Sequence, residues 1–226
     1  MSTISYDSQI QSLELGKTIF DFADDLSVEV PTSCGRNGEC HECVVEITSG
    51  MEALSAASES ESFLRGNYRL ACQAVVESTA TEIRFAPLRR QPKILVVGQN
   101  KISLEHDPVV VRQGLDVLYD GEVIDQYRGH LYGLAIDLGT TTVVIDLVDL
   151  ESGDSLDRLS FENPQRFGGS DVMHRISYDG GPYKGELQKA IVTAINRAIR
   201  NLSRTRKFPR RAIYEIVVAG NSSMRD

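Results

Sequence analysis

The sequence lacks several features that would place it in a specialised class. It has no tryptophan, no apolar run approaching the about 18 residues that a membrane span needs, and no basic and apolar leader at its N-terminus. We therefore expect a soluble, cytoplasmic protein that does not act at a membrane. Its 226 residues, 41% hydrophobic and 25% charged, have globular composition and suffice for one large domain or two small ones.

Basic charge is scarce in the N-terminal part of the chain. Residues 1–90 contain 7 lysines and arginines against 14 aspartates and glutamates, whereas residues 91–226 contain 17 against 18. An acidic surface repels phosphate backbones, so this distribution argues against nucleic acid as a partner. The acidic surplus suits docking to a basic protein surface, and it equally suits simple solubility.

Cysteine is also rare, and all four cysteines lie before residue 73. Cys34, Cys40 and Cys43 have the spacing C-x5-C-x2-C, and Cys72 follows far behind them. A disulfide is uncommon in a cytosolic chain, and zinc usually takes two C-x2-C pairs, of which the second is missing here. A [2Fe–2S] cluster takes three thiolates from one loop and a distant fourth, with C-x4-C-x2-C as the plant-type spacing. The pattern favours the cluster, with zinc as the alternative.

The residues around the cysteines also favour a cluster. Gly35 and Gly38 in the loop 31–43 let the backbone wrap closely around an inorganic core and direct N–H groups at sulfur. Such hydrogen bonds, together with burial, raise the reduction potential of the site. His41 lies between two of the cysteines. Because four thiols are already available, we expect His41 to be a solvent-facing loop residue.

Short extended segments flank this loop. Strands are predicted over 44–47 and 68–76, the latter carrying Cys72, and two further extended segments, 18–20 and 26–30, bracket an acidic turn. Short strands with one such loop predict a β-grasp ferredoxin domain. The loop, with the later segment Arg-Leu-Ala-Cys-Gln that ends at Gln73, resembles the [2Fe–2S] ferredoxin domains of adrenodoxin-like spacing, over residues 1–88.

A change of pattern after this domain predicts a linker. Residues 87–92 contain two prolines and two arginines, and strand-like runs follow at 94–97 and 108–111. No residue between 93 and 130 suggests a particular chemistry. We expect residues 89–130 to form a linker or a small middle domain.

A hairpin is predicted from about residue 131 onward. Strands over 132–136 and 143–148 flank a turn rich in hydroxyl groups, with Asp137, Gly139 and the three threonines Thr140, Thr141 and Thr142. Backbone N–H and threonine hydroxyl groups at such a turn would donate to phosphate oxygens, with the carboxylate near a Mg²⁺ shell. The turn is not a P-loop, since the chain lacks G-x-x-x-x-G-K-[ST]. The alternative is an ordinary hairpin that uses threonine for its β-propensity.

Further strands and one helix are predicted after this hairpin. A third strand is predicted over 154–161, a loop over 163–176, a helix over 186–207 from its one-sided apolar pattern, and a last strand over 213–219. Three strands, a helix and a strand are the opening order of a ribonuclease H-like half-domain, the building block of the actin, sugar-kinase and heat-shock-chaperone ATPases. We therefore predict an α+β multidomain protein whose residues 131–226 form part of a ribonuclease H-like α/β subdomain.

A ferredoxin domain joined to that fold resembles one family, the reductive activators of corrinoid proteins. The resemblance is carried by four segments in the family's order: Asp137-Leu-Gly-Thr-Thr-Thr, Asn163-Pro-Gln, Asp171-Val-x-x-Arg-Ile and Val218-Ala-Gly-Asn-Ser-Ser-Met. It implies that Asp137, Gly139 and the three threonines form a phosphate-binding turn, with Asn221 and Ser222 facing the same cleft.

The resemblance also implies a function. It implies ATP-dependent delivery of one low-potential electron, supplied by an upstream reductant, to a corrinoid protein or corrinoid-dependent methyltransferase. There the electron restores cobalt(I) from cobalt(II) formed by accidental oxidation. Differential binding of ATP to two conformational states would supply the driving force.

The sequence departs from the family in its length. Family members bind ATP between two ribonuclease H-like halves, and this chain stops at Asp226, just after the predicted fourth strand of the first half. We expect either a fragment or a truncated product, and we expect weak or no ATP binding by these 226 residues, because small-molecule sites bury most of their ligand. The alternative function is a stand-alone [2Fe–2S] electron carrier whose C-terminal region only docks a partner. A third possibility is a folded ferredoxin domain with a poorly ordered tail.

Overall fold

The structure, a computed structural model, describes residues 2–88, 93–94 and 107–221. These residues form a mixed α/β protein with three sheets and few helices. In the part of the chain that is described, no helix is both long and apolar enough to cross a membrane.

The chain divides into two compact units, each formed from two stretches of sequence. The first unit comprises Met1–Arg90 and Pro164–Thr193, and the second comprises Gln91–Asn163 and Ala194–Asp226. Compactness therefore groups residues that are far apart in sequence. The domain boundaries predicted above, at residues 88 and 130, stay predictions.

The first unit is built on a five-stranded sheet. Its strands are β1 Thr3–Tyr6, β2 Gln9–Ser12, β3 Val44–Ser49, β4 Tyr68–Leu70 and β5 Ile83–Pro87. Their order across the sheet is β2-β1-β5-β3-β4, with β1 parallel to β5 and the other neighbours antiparallel. The predicted strand over 44–47 is confirmed. The predicted strand over 68–76 is shorter than expected, because β4 ends at Leu70 and a turn follows.

A helix stands where an extended segment was expected. Helix α1 runs over Ile19–Asp25, so the extended prediction for 18–20 is wrong, and 26–30 forms a turn and irregular chain. The physical reason is a capping box: the Thr18 hydroxyl accepts from the Asp21 N–H, and the Asp21 carboxylate accepts from the Thr18 N–H at 2.9 Å. Ile19 and Phe22, three residues apart, lie on the buried face of the helix.

The second stretch of the first unit adds two helical elements to its core. Helix α2 covers Val172–Asp179, and helix α3, over Glu186–Arg206, begins in this unit. The loop predicted over 163–176 is therefore partly wrong, since its last residues are helical. The Asp171 carboxylate caps α2 by accepting from the His174 N–H at 3.0 Å. The core joins α1 and the sheet to three side chains of this stretch: Phe167, Tyr178 and Leu187.

The second unit is built on another five-stranded sheet. Its strands are β6 Lys93–Ile94, β10 Tyr132–Leu138, β11 Thr142–Asp149, β12 Ser155–Glu162 and β13 Ile213–Gly220, in the order β13-β10-β11-β12-β6. Strands β10, β11 and β12 form an antiparallel meander, and β13 runs parallel to β10. The four strands predicted between residues 132 and 219, and the helix predicted over 186–207, are confirmed.

A small separate sheet precedes the meander. Its strands are β7 Val110–Gln113, β8 Asp116–Tyr119 and β9 Glu122–Gln126, paired antiparallel in that order. The strand predicted over 108–111 corresponds to the start of β7. The strand predicted over 94–97 lies mostly outside the described residues, which include only β6 in that region.

Candidate metal centre and hairpin turn

Three of the four cysteines lie in the loop 31–43 of the first unit, and Cys72 lies far from them in sequence. Cys34 and Cys40 belong to the loop 31–43 and are half-buried, whereas Cys43, directly before β3, and Cys72 are buried. Cys72 lies in the turn after β4 rather than within a strand, so that part of the prediction is corrected.

The four thiols form two pairs. The Cys43 thiol donates to the Cys72 sulfur at 3.4 Å. Cys34 and Cys40 interact through their side chains, and the Thr32 Oγ1 lies 4.0 Å and 3.9 Å from their two sulfurs. Among the described residues, no three His, Cys, Asp or Glu side chains are placed to hold a single metal ion. Paired thiols are the donor set that a cluster with two irons takes.

The loop directs backbone N–H groups at the Cys34 sulfur. Burial raises the pKa of the Cys34 thiol, but hydrogen bonds from the loop outweigh burial and lower this pKa to about 6. The backbone donors are three loop residues, namely Asn37, Glu39 and Cys40. The loop is therefore shaped to stabilise negative charge on this sulfur.

The hydrogen bond between the buried thiols of Cys43 and Cys72 shifts their pKa values in opposite directions. The hydrogen bond from Cys43 has the largest effect on the pKa of Cys72, which it lowers. The Gln73 side chain, 3.5 Å from the Cys72 sulfur, and the Gly38 N–H lower it further. Together they outweigh burial and bring the pKa of Cys72 to about 6. The same hydrogen bond, followed by burial, raises the pKa of Cys43. Negative charge is thus favoured on the Cys72 sulfur as well as on the Cys34 sulfur.

The loop conformation depends on positive φ angles and on one anchor. Gly35 and Gly38 have φ of +68° and +89°, and a Cβ on Gly38 would lie 3.1 Å from the Ser60 Cβ. Arg36 anchors the loop to α1, with its guanidinium carbon 3.9 Å from the centre of the Phe20 ring and Nη2 2.5 Å from the Asp24 carboxylate. The sequence indicated the glycines, but not the role of Arg36.

A buried ion pair holds the strand that leads to Cys72. The Glu61 carboxylate accepts from Arg69 Nε at 2.7 Å and from the Leu70 N–H at 2.8 Å, and both charged residues are buried. Arg69 Nη1 also donates to the Ser55 carbonyl at 2.8 Å. Arg69 belongs to the segment that suggested a ferredoxin domain, whereas nothing in the sequence marks Glu61 as its partner.

His41 is not the solvent-facing residue that we expected. Its side chain is only 24% exposed, and its ring stacks on Phe63 with the centroids 4.1 Å apart and the planes 17° apart. Its Nδ1 lies 3.1 Å from a Glu186 carboxylate oxygen, 145 residues away in sequence and within the same unit. The expectation was wrong because it was based only on the number of thiols. The contact from Glu186 at the start of α3 is not visible in the sequence.

The predicted phosphate-type turn is a closed hairpin tip in the second unit. The Gly139 N–H donates to the Thr142 carbonyl at 3.1 Å, and a Cβ on Gly139 would lie 2.5 Å from that oxygen. The buried Asn163 fastens both sides of the tip, since its Nδ2 donates to the Gly139 carbonyl at 2.8 Å and its N–H donates to the Thr141 carbonyl at 2.7 Å. The backbone of the turn is therefore fixed, while Thr141 and Thr142 remain exposed.

Other predicted residues reach the same edge of that sheet. In the parallel pair of β10 and β13, Asp137 is level with Ala219 and Leu138 with Gly220, so Asn221 follows at the edge where the turn begins. Asp137 and Asn221 are exposed. Ser222 lies outside the described residues. The turn, one carboxylate and one amide are thus at one end of the sheet.

Two protein families match this chain, one in each half. Residues 5–77 match the family described as 2Fe-2S iron-sulfur cluster binding domain, and residues 132–226 match the family described as RACo middle region. The first match supports a [2Fe–2S] cofactor and electron transfer. Neither match extends over the small sheet of β7, β8 and β9.

Similar proteins carry related names. A curated protein of Eubacterium limosum, "Corrinoid activation enzyme RamQ", is 24% identical over 247 residues, which cover 91% of this chain and 42% of that protein. A solved structure of a "Reductive activator for corrinoid,iron-sulfur protein" is 22% identical, with a TM-score of 0.47, over 99% of this chain and 48% of that one. The chain spans less than half the length of both relatives.

Proposed function

We propose that this chain, whose two matched domains support membership of the family of reductive activators of corrinoid proteins, takes part in ATP-dependent delivery of one electron to a corrinoid protein. The electron converts cobalt(II) to cobalt(I), the nucleophile that methyl transfer requires. The observation that carries the proposal is the presence of both domains in one chain, at residues 5–77 and 132–226. The name of the Eubacterium limosum relative supports it.

In this proposal Cys34, Cys40, Cys43 and Cys72 hold the [2Fe–2S] cluster. Their arrangement in two pairs, with 3.4 Å between the Cys43 and Cys72 sulfurs, supports two thiolates on each iron. When bound, the cluster supplies one-electron transfer at low potential. Zinc is the alternative occupant, and it would need the four thiols to converge on one ion.

The surrounding residues determine how this centre behaves. Backbone N–H groups of the loop donate to the Cys34 and Cys72 sulfurs, which stabilises added negative charge and raises the reduction potential. Cys43 and Cys72 are buried and Cys34 and Cys40 are half-buried. The side of the loop with Cys34 and Cys40 is therefore the side through which electrons enter and leave.

The finer fold assignments belong to the same proposal. A β-grasp fold for the first unit is supported by its sheet order β2-β1-β5-β3-β4 and by α1 in its core. A ribonuclease H-like fold for the second unit is supported by an antiparallel meander with β13 parallel to its first strand. The family's ATPase architecture is consistent with such a subdomain.

ATP with Mg²⁺ is the proposed ligand of the hairpin turn in a longer form of the protein. Gly139, Thr140 and the exposed hydroxyls of Thr141 and Thr142 would contact phosphate, and Asp137 would lie near the metal shell. Asn221 contributes from β13. The fixed backbone of the turn supports this role, because a preformed donor set loses little entropy on binding.

The proposed partners and cellular location are those that the resemblance to the same family implies. The partner is a corrinoid protein or a corrinoid-dependent methyltransferase, an upstream reductant supplies the electron, and the location is cytoplasmic, without nucleic acid or a membrane. The acidic surplus of residues 1–90 suits a basic docking surface on either redox partner. An electron carrier without nucleotide chemistry is the competing hypothesis.

One experiment separates the two hypotheses. Reduced chain, in its longer form, is mixed with a cobalt(II) corrinoid protein, and cobalt(I) is followed by its visible absorption with and without Mg-ATP. The proposal predicts that ATP accelerates the appearance of cobalt(I). Substitution of Gly139→Ala is expected to remove the acceleration, whereas Ser152→Ala, in an exposed turn at the other end of the sheet, is its matched control. Equal rates with and without ATP would favour the electron carrier.

A further inference from the structure

The loop that carries three of the cysteines is contacted at His41 by a distant stretch of the same compact unit. Residues Pro164–Thr193 contact the N-terminal residues through an ion pair, side-chain hydrogen bonds and aromatic rings. Arg166 Nη2 lies 2.5 Å from the Glu46 carboxylate on β3, and the Tyr178 hydroxyl donates to the Phe63 carbonyl at 2.5 Å. A further contact is the His41–Glu186 hydrogen bond, which reaches the cysteine loop itself.

His41 is held on two sides. Its ring stacks on Phe63, which is 3% exposed, and Phe63 meets Phe167 edge to face with the centroids 5.8 Å apart. Its Nδ1 is held by Glu186, the first residue of α3. Because His41 has φ of +58° and lies between Cys40 and Cys43, these contacts fix a strained point of the loop.

The position of Glu186 is itself fixed by local structure. The turn before α3 is closed by the Gly185 N–H, which donates to the Asp179 carboxylate at 2.9 Å. The Lys189 N–H then donates to the Gly185 carbonyl at 2.9 Å, which starts the helix. The Glu186 side chain is 23% exposed, so its carboxylate is held in a largely buried place beside the loop.

We propose that Glu186 is a positioning residue for the iron–sulfur centre: through His41 it holds the cysteine loop in its binding conformation and places a negative charge beside the centre. This inference rests on the cluster ligands proposed above. It does not depend on the corrinoid or ATP part of the proposed function.

Two consequences follow from charge and from geometry. Reduction adds an electron to the centre, so a nearby carboxylate disfavours the reduced state and its removal raises the reduction potential. Loss of the hydrogen bond also loosens the loop, which speeds release of the cluster.

The experiment uses the whole chain, loaded with the cluster without oxygen. Glu186→Gln removes the charge but keeps a hydrogen-bonding side chain of the same shape, and Glu186→Ala removes both. His41→Phe keeps the stacking on Phe63 but not the hydrogen bond. Glu77→Gln, an exposed carboxylate of the same unit, is the matched control for a change of one charge. Redox titration gives the potential, and transfer of iron to a chelator gives the rate of cluster loss.

The expected results distinguish positioning from general stability. Glu186→Gln raises the reduction potential by more than Glu77→Gln does. Glu186→Ala and His41→Phe each accelerate cluster loss about fivefold, the factor that corresponds to about 1 kcal/mol of net hydrogen-bond free energy. The double variant loses its cluster no faster than either single variant, because both remove the same contact.

Opposite results would overturn the inference. A potential shift in Glu186→Gln no larger than in Glu77→Gln, with unchanged cluster loss in Glu186→Ala, would show that Glu186 does not act on the centre. A wild-type chain that takes up no cluster would refute the ligand assignment together with this inference. The expected shifts without any reduction of a corrinoid protein would refute only the proposed function.

Discussion

The buried Glu61 carboxylate gives the sharpest prediction about stability, with Glu61→Gln as the perturbation. The side chain of Glu61 is 1% exposed and that of Arg69 is 6% exposed, so the guanidinium loses a partner that water cannot replace. Glu61 also accepts from the backbone N–H groups of Ser58 and Leu70, at 2.8 Å each. A glutamine keeps one acceptor oxygen but has an NH₂ group in place of the other. That NH₂ group would face the N–H donors that now bind the carboxylate.

The magnitude follows from that geometry. Removing one partner of a buried ion pair costs about 3–5 kcal/mol, and we expect about 3 kcal/mol because the amide keeps one acceptor. Burial alone would raise the pKa of Glu61, but hydrogen bonds from Arg69, Ser58 and Leu70 outweigh it and lower that pKa. The stabilisation by the carboxylate is thus complete above about pH 4.3, the unfolded value, and is lost as the pH falls through the folded pKa. The difference between wild type and variant therefore shrinks in acid.

Urea unfolding with two probes checks this prediction. At a slope of about 2 kcal/mol per molar urea, a loss of 3 kcal/mol lowers the midpoint by about 1.5 M. Far-ultraviolet circular dichroism follows the fold, and the visible absorption follows the centre at Cys72, two residues after β4. Glu59→Gln, an exposed neighbour, is the control and should leave the midpoint unchanged. A shift in Glu61→Gln below about 0.5 M would refute the assigned role of the ion pair.

Three further predictions concern the two candidate sites. Serine in place of any one of the four cysteines should bleach the visible absorption or leave an unstable centre, as a spectrum of each variant would show, and four intact spectra would contradict the assignment. Asn163→Ala should cost about 1–3 kcal/mol in thermal or urea unfolding, since it leaves the Gly139 carbonyl without its 2.8 Å donor, whereas Asn196→Ala, at an exposed position of α3, should have little effect. Calorimetric titration of the 226-residue chain with Mg-ATP should detect weak or no binding, and micromolar affinity would contradict that expectation.

The sequence predicted those elements whose apolar pattern is long and regular. Strands β10, β11 and β13 contain apolar runs, and the apolar residues of α3 recur on one helical face, so each was found close to its observed bounds. Helix α1 was missed because seven residues give little periodicity, although Thr18 followed by Asp21 was a usable capping signal. Helix α2 was missed for the same reason, with Asp171 as its signal.

The candidate sites were predictable to the extent that they are local in sequence. Spacing alone indicated the cysteines, and the threonine turn was recognisable from six consecutive residues. The partners that hold these sites are distant: Glu186 lies 145 residues from His41, and Asn163 lies 24 residues from Gly139. No sequence pattern encodes such contacts, because they arise only when separate segments pack together. The prediction that His41 faces solvent was wrong because Glu186 contacts it from such a distant segment.

In the proposed function, four paired thiols make the first unit a one-electron centre. Iron analysis combined with electron paramagnetic resonance of the dithionite-reduced chain tests it in one sample. A [2Fe–2S] centre on these thiols gives about two iron atoms and about one unpaired electron per chain, with the signal lost in Cys72→Ser. A chain that instead holds about one zinc ion and gives no paramagnetic signal on reduction would contradict it.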